Sequence, residues 1–120
     1  MSRVYDIRRR TYLFALQVVR LLDQLKSDYI SRILGQQLLR AATSVGANVA
    51  EAQAAGSRRD FANFYRYALK SANETEYWLN LLHDTERVPA ERMAPLVQEV
   101  RELGSVLGAS LLTLKRQSGD

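Results

Sequence analysis

The sequence has no cysteine, a single histidine at His83, only two prolines at Pro89 and Pro95, and no apolar run near the roughly 18 residues needed to span a bilayer. Without cysteine there is no disulfide framework, no thiolate zinc site, no iron–sulfur ligation and no cysteine nucleophile, and a reducing cytoplasm is the expected location. One histidine cannot assemble a multi-histidine metal site, so neither a metal nor a cofactor is expected. The start, with Arg8-Arg9-Arg10 ahead of Tyr12-Leu13-Phe14-Ala15-Leu16, imitates a secretion signal. Gln17 and Arg20 interrupt the apolar stretch and no small-residue cleavage site follows, so neither export nor membrane insertion is expected.

What remains is 120 residues, 47% of them hydrophobic, which suits one globular domain over 1–120. Its core is feasible without staples but modest, and self-association would add to it. The net charge of +4 rests on 14 arginines and three lysines. Arginine is the side chain best matched to carboxylate and phosphate, so nucleic acid is a permitted partner.

No segment alternates with period two, and four stretches carry apolar residues at helical spacing, which predicts an all-α fold. The first helix is expected over about 6–26, with Phe14, Val18, Leu21, Leu22 and Leu25 on one face. Ser27-Asp28 supplies a turn and a cap for a second helix, about 30–55, with Leu34, Leu38, Ala41, Val45, Val49 and Ala52 inward. Gly56 is the expected left-handed closing residue, and Ser57 caps a third helix over 58–86 with Asp60 at its third position. That helix turns Phe61, Phe64, Tyr65, Ala68, Ala72, Thr75, Leu79 and Leu82 inward. A fourth, about 90–116, carries Met93, Leu96, Val100, Leu103, Leu107, Leu111 and Leu114, with Pro95 either in its first turn or at a bend. Short connections between long helices predict an antiparallel up-down-up-down four-helix bundle.

The chemistries such a bundle can hold are mostly excluded by spacing. Carboxylate-bridged metal pairs need Glu-x-x-His, and Asn80 stands three residues before His83. The arginine that small helical nucleases carry shortly before a histidine is missing, with Glu76, Tyr77 and Trp78 in its place. There is no nucleophile elbow, phosphate loop or dinucleotide fingerprint.

Two polar stripes stand out. Arg40, Ser44, Asn48 and Glu51 fall within a sector of roughly 80° beside the apolar face of the second helix. Ser71 and Glu74 lie similarly on the third, so a network joining the two helices, or a subunit interface, is expected. The alternative is an enzyme or small-ligand module using Arg40, Ser44, Asn48, Glu51 and Glu74 in a pocket. The second stripe, Arg59, Asn63, Arg66, Lys70, Asn73 and Tyr77, projects outward from the third helix. With Arg58, where the helix dipole disfavours cations unless an anion is near, it suits a phosphate backbone or an acidic partner. Arg8 to Arg10 read as an arm that would extend this basic surface. Gly104 and Gly108, with Ser105 and Ala109, leave a small-residue patch for close helix approach on the fourth helix.

The run from Arg40 to Glu51, RAATSVGANVAE, followed by Phe61-x-x-Phe64-Tyr65-x-x-Ala68-x-x-Ser71-x-x-Glu74, resembles the bacterial four-helix-bundle family named after proteins encoded in 23S ribosomal RNA intervening sequences. Ala52 departs from it, since the family usually has glycine there. The resemblance implies a small cytoplasmic protein assembled as a homopentamer, without enzymatic activity. In some relatives, accessory proteins of diversity-generating retroelements, a basic pentamer binds nucleic acid and a reverse transcriptase. The motif residues Arg40, Ser44, Asn48, Glu51, Ser71 and Glu74 are then architectural, and the expected function is a non-enzymatic oligomeric scaffold that offers its arginines to RNA or DNA.

Overall fold

A computed structural model describes residues 7–117. Its elements are four helices, α1 (Ile7–Asp23), α2 (Tyr29–Gln53), α3 (Arg58–Asp84) and α4 (Ala90–Gln117), with no strand among the described residues. The expected start of the first helix at residue 6 lies outside them. Each helix packs on the next, and α1 also packs on α4, so the four enclose one core in a body of 50 × 24 × 23 Å.

The caps explain where α2 and α3 begin. Asp28 is extended and its carboxylate accepts from Ser31 N at 2.9 Å; Ser57 does the same for Asp60 N at 3.1 Å. Helix ends depart from expectation. α2 stops at Gln53 and its closing residue Ala54 has φ −97°, so Gly56 does not close it in the left-handed conformation. That conformation occurs at Glu86 instead, with φ 62°. There Glu86 N donates to His83 O and Arg87 N to Leu82 O, each at 2.9 Å, which is the Schellman pattern that satisfies the last carbonyls of α3. α4 starts at Ala90 and keeps Pro95 inside it.

The inward faces follow the period of 3.6. Phe14, Val18, Leu38, Val45, Val49, Leu79, Leu82, Val100, Leu103 and Leu107 are fully buried, each contributing about 1.5–3 kcal/mol relative to exposure. Phe61, Phe64, Leu22, Leu25, Leu34 and Leu111, expected inside, are only half-buried against this core, and Leu114 is half-buried without packing on it. α1 lies very close to α2 at Gly46, where a Cβ would stand 3.2 Å from Thr11 Oγ1. Thr11 is buried, and its hydroxyl donates to the carbonyls of Ile7 at 2.9 Å and Arg8 at 3.0 Å.

Candidate functional site

Of the six residues in the expected polar network, the fold joins two. Arg40 of α2 pairs with Glu74 of α3, and its guanidinium also donates to Gln37 Oε1 at 3.0 Å. The Trp78 indole N–H donates to the same Glu74 oxygen at 2.9 Å. Trp78 was not among the expected members; its signal was the i, i+4 spacing from Glu74. Its hydrogen bond first, and the bond from Arg40 after it, hold the Glu74 carboxyl below the usual range. Arg40 and Glu74 are 56% and 37% exposed, so this is a surface seam and not a buried charge pair.

The other four residues turn elsewhere. Ser44 Oγ donates to the Arg40 carbonyl and Asn48 Nδ2 to the Ser44 carbonyl, both at 2.8 Å, so both side chains serve their own helix. Glu51 is exposed, and the Ser71 carbonyl accepts from Thr75 Oγ1 at 2.7 Å. Three surface grooves of the described residues are lined by other side chains.

The basic surface is more concentrated than its sequence pattern implies. Arg58, Arg59, Arg66 and Lys70 are exposed, and Asn63 is half-buried, accepting from Arg66 Nη1 at 2.8 Å. Arg58, Arg59 and Arg66 line one wall of a groove of about 690 Å³ between α3 and the end of α4. Its floor is Ala62, Leu69, Gly108, Leu111, Leu112 and Leu114, and Lys115 completes the lining. Asn63 and Lys70 lie outside it. The patch at Gly104 and Gly108 is not filled by a neighbouring helix: a Cβ at Gly108 would meet nothing within 4 Å, and one at Gly104 only Leu69 at 3.6 Å.

Arg10 corrects the expectation of a basic arm. It sits within α1, 18% exposed, with Nε 3.1 Å and Nη2 2.7 Å from the two carboxylate oxygens of Glu99 and Nη2 3.1 Å from Glu102. The Glu99 bonds raise its already high pKa. Arg8 and Arg9 alone remain exposed there. A further connection was not foreseen: Arg87, after α3, donates to Ser31 Oγ at 2.9 Å and lies 3.7 Å from Asp28, tying the α3–α4 turn to the cap of α2. His83 Nδ1 lies 3.2 Å from the Val88 carbonyl and holds the same turn. Among the described residues no group of three His, Asp or Glu side chains is arranged to hold a metal ion, and no helix is long and apolar enough to cross a membrane.

Residues 3–109 match the family model of the 23S rRNA-intervening sequence protein. The chain belongs to that family. A crystal structure at 1.70 Å of a protein with unknown function, from the S23 ribosomal protein family of Bacteroides thetaiotaomicron VPI-5482, has 35% sequence identity to it. The two superpose with a TM-score of 0.85 over 92% of this chain and 98% of that one. No curated protein matches the chain. The family segment therefore contains both the Arg40–Glu74–Trp78 seam and the arginine wall of the groove.

Proposed function

We propose that this intervening-sequence family protein is a non-enzymatic, cytoplasmic scaffold: one antiparallel up-down-up-down bundle per chain, self-associated into the homopentamer that the family resemblance implies. The observation that carries this reading is the outer side of α2. Tyr29, Ile30, Ile33 and Leu39 are all exposed, alongside Arg32, Arg40 and Glu51, the charged side chains of α2. Exposed tyrosine, isoleucine and leucine along one helix favour burial against another protein surface. A second copy is the partner the family resemblance suggests.

Light scattering or native mass spectrometry should give a multiple of 13.6 kDa at micromolar concentration. Ile33→Glu with Leu39→Glu, both at exposed positions, should return it to one chain mass; a wild-type monomer overturns the reading. The second part of the proposal is that Arg58, Arg59, Asn63, Arg66 and Lys70 offer RNA or DNA, or an enzyme acting on it, an outward cationic line. Binding of an oligonucleotide should then fall steeply with salt and with Arg59→Glu plus Arg66→Glu, because phosphate contacts release counterions. The alternative of an active or ligand pocket at Arg40, Ser44, Asn48, Glu51 and Glu74 has little to support it, since Arg40 pairs with Glu74 at an exposed seam, Ser44 and Asn48 bond their own backbone, and Glu51 is exposed.

A further inference from the structure

The groove between α3 and α4 has a direction. Leu69 faces Gly104, and Glu76 pairs with Arg101 at 2.7 Å, so residues that face each other rise in number on α3 as they fall on α4. Arg58 and Arg59 therefore share one end of the molecule with Lys115. From that end to the level of Leu69 the groove runs about 16 Å at the helical rise per residue. Its floor is leucine, alanine and glycine with no aromatic side chain, and Arg66 stands on its wall about 12 Å along α3 from Arg58. Among the described residues no carboxylate pairs with Arg58, Arg59 or Arg66. Two of these guanidinium groups stand in the first turn of α3, where the helix dipole is also positive.

We propose that this groove binds a single-chain anionic amphiphile of the fatty-carboxylate class. The head is held at the end of the molecule by Arg58 and Arg59, and the tail lies over Ala62, Leu111, Gly108 and Leu69. The arrangement matches that chemistry and disfavours others. Guanidinium forks suit a carboxylate head. An open slot of this volume is in the range of small-molecule sites and offers the tail an apolar bed. A nucleotide would find no ring to stack on. An acidic peptide helix would call for cations along its whole length, whereas here three of the four, Arg58, Arg59 and Lys115, gather at one end and only Arg66 stands further along the wall. The inference depends neither on self-association through α2 nor on nucleic acid, although it shares Arg58, Arg59 and Arg66 with the outward basic line.

The test is a homologous series of n-alkyl carboxylates, from six to about fourteen carbons and below their micelle concentrations, titrated calorimetrically into the full chain. Affinity should tighten by up to about fourfold per added methylene until the groove is filled, then level off. Arg58→Gln with Arg59→Gln should weaken every member by at least about tenfold and leave the chain-length slope intact. Gly108→Leu should flatten that slope. The new side chain enters open space and a helical glycine is removed, so the variant keeps its fold, which circular dichroism confirms. Lys70→Glu, outside the groove, should weaken oligonucleotide binding and leave the carboxylates untouched, which separates this inference from the nucleic-acid reading.

Several results overturn the proposal: no binding, equal binding of alkylammonium ions, or affinity independent of chain length and matched by inorganic phosphate. So does a Gly108→Leu variant that binds as wild type. A change of assembly mass in Gly108→Leu with carboxylate binding unaltered marks the groove as a subunit interface and overturns it too. Binding to anionic vesicles without binding of the monomeric carboxylates does the same.

Discussion

Arg10 and Glu99, 89 residues apart in sequence, meet as a two-pronged fork, with Nε and Nη2 each donating to one carboxylate oxygen. The pair joins the first helix to the last, at side-chain exposures of 18% and 28%. It is sheltered enough to hold one geometry and wet enough to avoid a large desolvation cost. A double-mutant cycle with Arg10→Met and Glu99→Gln, read by urea unfolding, should return a coupling of about 1 kcal/mol. Arg10→Lys should lose most of it, since an ammonium cannot form the fork. A coupling near zero would make the pair a bystander.

Trp78 is the one tryptophan of the chain, and it reports directly on Glu74. The indole N–H first and Arg40 second hold the Glu74 carboxyl below its ordinary value, so the folded state binds its proton less readily than the unfolded state. The stabilisation is complete above the ordinary glutamate range of about 4.3 and is lost as pH falls through the lowered folded value. Tryptophan emission of the folded protein should change in that acid window, with a midpoint below about 4.3, and Glu74→Gln should remove the transition. Asp28 acts in the same direction, held low chiefly by the Ser31 backbone N–H, so Asp28→Asn should shallow the acid limb of stability.

Two helical glycines should respond oppositely to alanine. At Gly46 the new methyl would press on buried Thr11, and the α1–α2 contact must open. Gly46→Ala should cost up to about 2 kcal/mol, the crowding being offset in part by the helix propensity gained. Gly108 faces open space, and Gly108→Ala should add up to about 1 kcal/mol through helix propensity. Urea midpoints that shift the same way for both would contradict this.

Glu86 closes α3 in the left-handed conformation that favours glycine. Glu86→Gly relieves that cost while keeping the backbone bonds to His83 and Leu82, and thermal unfolding should register a gain of about 1 kcal/mol.

Much of this fold was legible because helices announce themselves locally. The caps at Asp28 and Ser57 and the spacing of Leu38, Val45 and Val49 need only neighbours a turn away. The end of α2 was misread because a glycine suggests a closing residue, while the conformation was taken up by a glutamate one turn system further on. The polar stripe was half legible. Arg40 and Glu74 meet, but Ser44 and Asn48 had their own carbonyls within reach, and a local acceptor wins over a distant one. Arg10 could not be assigned from spacing, since its partners depend on how α1 lies against α4. The groove was hidden for the same reason: Lys115 and Leu111 belong with Arg58 only once the register of two helices is known.

Beyond Leu107 no residue of α4 is buried. Three turns of helix thus hang on half-covered leucines, while the same helix nearer its start is clasped from both sides through Val100 and Leu103. Opening this tail requires little surface to be torn from the core, so hydrogen exchange should find its amides less protected than those around Val100 and Leu103. Of the two helices that line the groove, α4 is therefore the one held by less buried surface at the cationic end, with Ala62 and Tyr65 of α3 buried and nothing of α4 beyond Leu107.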